Sequence, residues 1–422
     1  MRLTMKEKQA VMHALQARYQ KAGKKQKHQI LDECCLLTGY NRAYASHLLC
    51  RERAARPRQK KWRKPAAEKK TAQRYYDDKV KEALRQIWLV LDCLCGKRLQ
   101  PVLGEMIPVL EKHGEIKLSA ETRRKLLQIS SATIDRLLAT AKKELSPATR
   151  AHTKPGTLLK RQIPIRTFAE WNEAQPGFVE IDLVAHDGGQ ASGAYFYTLD
   201  VTDICTGWTE TKIVRNKSQV AVFAALVALR QQLPFALQGI DSDNGSEFIN
   251  DHLLRYCQAE QLTFTRARSY RKNDNCFVEQ KNYSIVRRNV GYQRYDTESQ
   301  FALLEELYRQ LRLYTNYFQP VMKLVAKERH GAQVRKHYDK AQTPYQRLLV
   351  GAKLSAKKKE QLRREYESLN PAALKRHITR LQNELIESAA QRGTRQSAPR
   401  ATASAHHPWR RAWSKRVITT QG

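Results

Sequence analysis

A chain of 422 residues has room for about three domains, and its 41% hydrophobic content is enough to build cores rather than a mostly disordered polymer. Formal net charge is +35, from 76 Lys and Arg against 41 Asp and Glu, so a polyanionic partner is expected, because each neutralised phosphate releases condensed counterions. Ribosomal and membrane-surface proteins can be equally basic, so charge alone does not choose DNA.

The first residues, Met-Arg-Leu-Thr-Met-Lys-Glu-Lys, lack the apolar stretch of a secretory signal. No uncharged apolar run approaches the roughly 18 residues of a membrane helix; the longest apolar stretch, 87–95, is interrupted by Asp92. A cytoplasmic, nucleoid-associated protein with no membrane partner fits this pattern. The eight cysteines form no Cys-x-x-Cys and join no His pair at zinc spacing, so ordinary reduced, mostly buried thiols are expected.

Residues 1–55 read as a helical module. Residues 25–37 place apolar groups on one side, Thr38-Gly-Tyr40 makes a break, and Asn41 caps a second helix through Leu49. Helix, Gly-containing turn and helix are the parts of a helix-turn-helix, with Asn41, Arg42, Tyr44 and Ser46 leading into a major groove. A small helical hairpin that merely packs has the same pattern. The linker 56–71 is almost entirely basic and contains Pro57, Pro65, Arg63 and Lys64; beside a DNA-binding module it is a candidate arm for phosphate or minor-groove contact.

A second helical block spans 72–145. Ser119 and Ser130 are placed to cap consecutive helices, with Leu126, Leu127, Ile129, Ile134, Leu137 and Leu138 as the shared core. Ser131, Thr133 and Arg136 remain available to bases or phosphates, while plain helical packing is again the bland alternative. A linker of Pro, Thr, Lys and Arg covers 146–167.

From 168 to 320 the pattern changes. Runs 178–185, 194–201 and 208–214 are β-branched and aromatic, with breaks at Gly188-Gly189 and Gly207. A helix at 217–233, a strand at 236–242, a helix at 250–260 and a strand at 263–266 follow. Three antiparallel strands, then alternating helices and strands, predict an α/β fold with a ribonuclease-H-like mixed five-stranded sheet core, flanked by all-α helix-turn-helix modules and a helical C-terminal region. That C-terminal region, 321–390, includes two helices broken at Asn370-Pro371; Leu374, Ile378, Leu381 and Leu385 form a stripe suited to a helical hairpin or a self-association seam. The tail 391–422 is basic and expected to be disordered.

Three acidic residues stand out against this frame. Asp182 interrupts an apolar central-strand pattern, where an unpaired carboxylate costs several kcal/mol unless a cation offsets it. Asp243 precedes Asn244-Gly245, a turn pair that ends the strand and holds the side chain at the sheet edge. Glu279 lies near the start of a helix running to about Val290, with 35 residues between it and Asp243. Asp200, Asp203, Asp241 and Asp274 remain possible second members, but none completes a third at comparable spacing. Carboxylates hold hard divalent cations, and phosphoryl transfer on DNA uses a pair of such ions.

Glu180-Ile-Asp182, the block 242–248 (Ser-Asp-Asn-Gly-Ser-Glu-Phe) and the block 271–282 (Arg-Lys-Asn-Asp-Asn-Cys-Phe-Val-Glu-Gln-Lys-Asn) resemble the retroviral-integrase-like branch of the DDE transposases. The likeness covers roughly 164–320. It implies that Asp182, Asp243 and Glu279 are catalytic metal ligands for two Mg2+ ions, with Mn2+ able to substitute. It further implies that the protein binds the terminal repeats of a mobile element as double-stranded DNA, cleaves at the 3′ end and transfers that end into target DNA as a homo-oligomer. The basic segment 266–272, with Arg268, Arg271 and Lys272, is a candidate loop over the scissile bond.

Such proteins often carry a basic residue about two helical turns after the glutamate. Here position 286 is Val, leaving Lys281 and Arg287 as DNA-contact candidates, and the zinc-binding module of retroviral integrases is replaced by the helix-turn-helix candidates. A catalytically inactive DNA-binding regulator derived from a transposase is the competing reading.

Overall fold

The computed structural model describes residues 4–50, 75–144, 175–266 (except 244, 246 and 249), 276–330, 333–351 and 354–396. These group into two compact units, one formed by Met1–Tyr75 with Met322–Lys340 and the other by Tyr76–Val321 with Ala341–Gly422. The basic linker 56–71, the linker 146–167 and the tail beyond 396 lie outside the described residues.

In the smaller unit, α1 (Met5–Lys21), α2 (Lys24–Thr38) and α3 (Arg42–Cys50) close around Met12, Leu15, Ile30, Leu31, Cys34 and Leu49. Gly39 ends α2 in the left-handed region (φ 69°), and Asn41 Oδ1 accepts from Tyr44 N at 2.8 Å, so the predicted break and cap both form.

The larger unit begins with α4 (Asp78–Val90), α5 (Gly96–Leu99), a 3-10 turn at Gln100–Val102, α6 (Leu103–Lys112), α7 (Ala120–Gln128), α8 (Ser131–Leu137) and α9 (Ala139–Glu144). Ser119 and Ser130 cap α7 and α8 as expected, through Thr122 N and Thr133 N. Leu126, Ile129, Ile134 and Leu138 are buried, but Leu127 is 47% exposed. Leu126 already occupies the inward side of α7, and its sequence neighbour lies about 100° further round the helix.

Five strands follow: β1 (Phe178–Ala185), β2 (Tyr197–Asp203), β3 (Thr209–Val214), β4 (Gly239–Ser242) and β5 (Thr263–Arg266). They form one sheet in the order β3-β2-β1-β4-β5. The pairs β1–β2 and β2–β3 are antiparallel, whereas β1–β4 and β4–β5 are parallel. This is the predicted ribonuclease-H-like mixed sheet. Helices α10 (Gln219–Gln232) and α11 (Asp251–Ala259) link its last three strands.

After β5 come α12 (Cys276–Lys281), a π-helical stretch (Asn282–Arg287), α13 (Arg288–Val290) and the long α14 (Glu298–Phe318), capped by Thr297. The C-terminal helices α15 (Pro344–Gly351), α16 (Ala356–Ser368) and α17 (Pro371–Gln396) break at Asn370-Pro371. Leu374, Ile378, Leu381 and Leu385 are all buried, in the same apolar core as the sheet and α4. That stripe is used inside the subunit.

The pattern from 321 to 390 predicts helices throughout, yet β6 (Leu324–His330) and β7 (Gln333–Tyr338) form an antiparallel hairpin within the smaller unit. Short strands dense in Lys and Arg carry little of the apolar alternation by which strands are read. Among the described residues no helix is long and apolar enough to cross a membrane. Seven cysteines are described as free thiols, of which only Cys34 and Cys257 are buried, fewer than the composition suggests.

Candidate functional site

Strand β1 is buried on both faces, and its alternation divides two chemistries. Val179 and Ile181, both 0% exposed, share one face with Leu199, Val201 and Ile240 of the neighbouring strands. Glu180 and Asp182 share the other. Register sets Glu180 beside Thr202 on β2 and Asp241 on β4, and Asp182 beside Asp200 on β2. Unlike a solvated polar face, this one lies under α12.

Asp182 is half-buried. Its Oδ1 accepts from Leu183 N at 2.8 Å and its Oδ2 from Asn282 Nδ2 at 2.5 Å. Burial, then the charge of Asp243 and, more weakly, that of Glu279, push its carboxyl up to about 7 against those two hydrogen bonds. Asp243 directly follows β4, where Gly245 N donates to its Oδ1 at 2.8 Å. A Cβ on residue 245 would stand 2.9 Å from that same oxygen, so any side chain there would press on the Asp243 carboxylate. Burial also raises the Asp243 carboxyl, with Glu247 adding to the rise. Glu279 is the fourth residue of α12 and is exposed.

The fold thus brings a residue just after β4 and one on α12 within electrostatic reach of Asp182 on β1. Among the described residues, however, no three His, Cys, Asp or Glu side chains are gathered closely enough to enclose an ion. The donor chemistry fits a hard divalent cation: three carboxylates, all-oxygen, with Asp182 raised first by burial and then by the charge of Asp243 and Glu279.

Beneath them lies a second tier. Glu180 is fully buried, and its Oε2 accepts from Val278 N at 2.9 Å; burial lifts its carboxyl well above the ordinary range, and Asp241 lifts it further. Asp241 accepts from Thr265 Oγ1 across β4 and β5. Asp200 accepts from Thr202 Oγ1 at 3.0 Å and is raised by burial to about 8, partly countered by Thr202 and Lys281. Burial lowers Lys281 to about 8, against the attraction of Asp200.

Lys281, predicted at the DNA, is instead only 8% exposed and faces this inner tier, so it leaves the DNA-contact set. Two residues along a helix are about 200° of rotation, so residue 281 faces the sheet once Glu279 faces outward. Arg287 is half-buried, donates to Ala185 O at 2.8 Å and covers the Tyr292 ring, and Val286 is fully buried. In the smaller unit Arg42 is engaged by Asp32 and the His28 carbonyl, whereas Tyr44 is 49% exposed. Arg136 is exposed and donates to Thr133 Oγ1. Arg63, Lys64, Arg268, Arg271 and Lys272 lie outside the described residues.

Sequence reasoning missed Asn282 and Glu180 as neighbours of the trio, while Asp200, weighed as a possible second acid, lies beside Asp182 on β2. The i, i+2 spacing of Glu180 and Asp182 was the available signal for Glu180. Nothing local marks Asn282.

No family model matches the chain. Among solved structures it is similar to the HTLV-2 integrase catalytic core domain in complex with magnesium, at 12% identity and a TM-score of 0.27, over 35% of this chain and 91% of that one. It is also similar to the simian T-cell lymphotropic virus intasome in complex with a PP2A regulatory subunit, at 14% identity and a TM-score of 0.30, over 51% of this chain and 70% of that one. The fold assignment rests on strand order and direction, not on these likenesses. A nearer relative is the uncharacterized protein y4rM of Sinorhizobium fredii (strain NBRC 101917 / NGR234), 42% identical over 337 residues, which are 80% of this chain and 93% of that protein. At that identity and coverage, the chain belongs to the y4rM family.

Proposed function

We propose that the protein is a DDE-type transposase, a polynucleotidyl transferase that binds the ends of a mobile element, cleaves at the 3′ end and joins that end to target DNA. What supports the reading is placement in a ribonuclease-H-like sheet: Asp182 is on its central strand, Asp243 directly follows the neighbouring β4, and Glu279 is on α12, which packs against that central strand.

The Asp182 rotamer is held by Leu183 N and Asn282. Asp243 is held by the Gly245 amide, and Glu279 faces solvent from α12, open to a DNA strand. Bound Mg2+ or Mn2+ would supply Lewis-acid polarisation of the phosphate and a more acidic attacking hydroxyl, two ions being the usual number for in-line displacement. Water attack on the phosphodiester leaves a 3′-hydroxyl and a 5′-phosphate; attack by that hydroxyl on a target phosphodiester forms the new bond and releases the target's own 3′-hydroxyl.

Double-stranded DNA as partner is supported by the +35 charge, and Arg136 and Tyr44 are the described candidates with free surface. Among residues outside the description, Arg63, Lys64, Arg268, Arg271 and Lys272 remain part of the proposed contact set. Handling two element ends together calls for a homo-oligomer. A nucleoid-associated location in the cytoplasm follows from the same reading.

The test is joining of a labelled terminal-repeat duplex to target DNA by purified protein, with Mg2+ or Mn2+ and with EDTA. Activity in EDTA equal to that with metal would reject the scheme. The open spacing of the carboxylates favours one second reading, a DNA-binding regulator without catalysis. Binding of the ends without strand breakage, in metal, would select it.

A further inference from the structure

The short helix α12 has six residues before the backbone widens into the π-helical stretch, too few to hold its own shape. Amides in a helix's first turn have no acceptor within the helix, and Val278 N is one of them. It donates instead to Glu180 Oε2 at 2.9 Å, a bond spanning 98 residues of sequence. Glu180 is fully buried, two residues from Asp182 and on the same face of β1. Its other oxygen, Oε1, has no hydrogen-bond partner among the described residues.

A buried carboxyl group is costly where Val179 and Ile181 show that apolar side chains suit the strand. What the acid supplies is an acceptor reaching from the strand of Asp182 to the helix of Glu279. We propose that Glu180 is a positioning residue, tying the start of α12 to β1 and so fixing where Glu279 stands relative to Asp182. This inference rests on the transferase reading above.

The test uses full-length protein. Mn2+ binding is measured by calorimetry or electron paramagnetic resonance, and joining is followed against metal concentration. Glu180→Ala, which removes the acceptor, is expected to weaken Mn2+ binding and raise the metal needed for half-maximal joining by about tenfold or more, as losing an outer support of a metal ligand commonly does. End-DNA affinity should not change. Glu180→Gln, which keeps an acceptor oxygen, should rescue both measures to within about threefold of wild type, and hydrogen exchange at 276–281 should quicken in Glu180→Ala alone. Glu180→Thr, too short to reach the helix, replaces the alanine variant if that one does not fold.

Wild-type metal dependence in both shortened variants would overturn the proposal, as would a glutamine variant as impaired as alanine. Asp182→Asn separates the two layers. If it joins DNA normally, the transferase reading fails; if it is dead while Glu180→Ala is unaffected, only the positioning role fails.

Discussion

The two faces of β1 are both largely buried and differently built. On one, Val179 and Ile181 meet Leu199, Val201 and Ile240, all of them at or below 1% exposure, which is ordinary core packing. On the other, Glu180, Asp182, Asp200 and Asp241 crowd like charges across neighbouring strands, with Lys281 and a few hydroxyls and amides for relief. Like charges set directly opposite destabilise a sheet. The first face holds the fold together, and the second is tolerated because something other than stability depends on it.

The sharpest way to break this contrast is at the polar face's outer edge. Asp182→Asn or Glu279→Gln should lower metal-dependent joining at least about a thousandfold, equivalent to about 4 kcal/mol of transition-state stabilisation. The melting temperature of metal-free Asp182→Asn should not fall, since a repelled charge has gone. A joining assay and a thermal melt on the same preparation check both halves.

On the apolar face the expectation reverses. Ile181→Ala leaves the carboxylates in place but opens a cavity in a fully buried site, so it should cost about 2–5 kcal/mol of stability by chemical denaturation. A cost well under 1 kcal/mol would show that this face is not the packed one.

A third effect is pH dependence. The folded-state values of Asp182, about 7, and Asp200, about 8, lie above the ordinary carboxylate value, so the folded protein holds these protons more tightly than the unfolded chain does. Their contribution to stability is complete below about pH 4 and fades as pH rises through 7 and 8. Metal-free wild type should therefore lose more stability than Asp200→Asn between pH 5 and pH 8.5, a difference read from paired melts. Parallel curves would contradict the buried-acid picture.

Smallest is Thr202→Val. It removes one hydroxyl donor from Asp200, at 3.0 Å, and a partner of Thr209, at 3.1 Å, and should cost about 1 kcal/mol.

Much of this protein was legible in its sequence because the deciding interactions are local. Caps at Asn41, Ser119 and Ser130, the break at Asn370-Pro371 and the alternation through β1 each need only a few consecutive residues. Asp182 and Asp243 stood out for a related reason, being charge inside strand pattern or turn chemistry, whereas Glu279 stood out by its spacing from Asp243. Tertiary structure decided the rest. It turned Lys281 inward, left Leu127 outside, replaced part of a predicted helical tail with the β6–β7 hairpin and put a π-helical stretch where a continuous helix was expected. The pairing of Glu180 with Val278 and of Asp182 with Asn282 depends on the register of strands and a helix about a hundred residues apart. No local rule of periodicity or capping encodes that register; it is chosen by which packing of the whole sheet buries its apolar face.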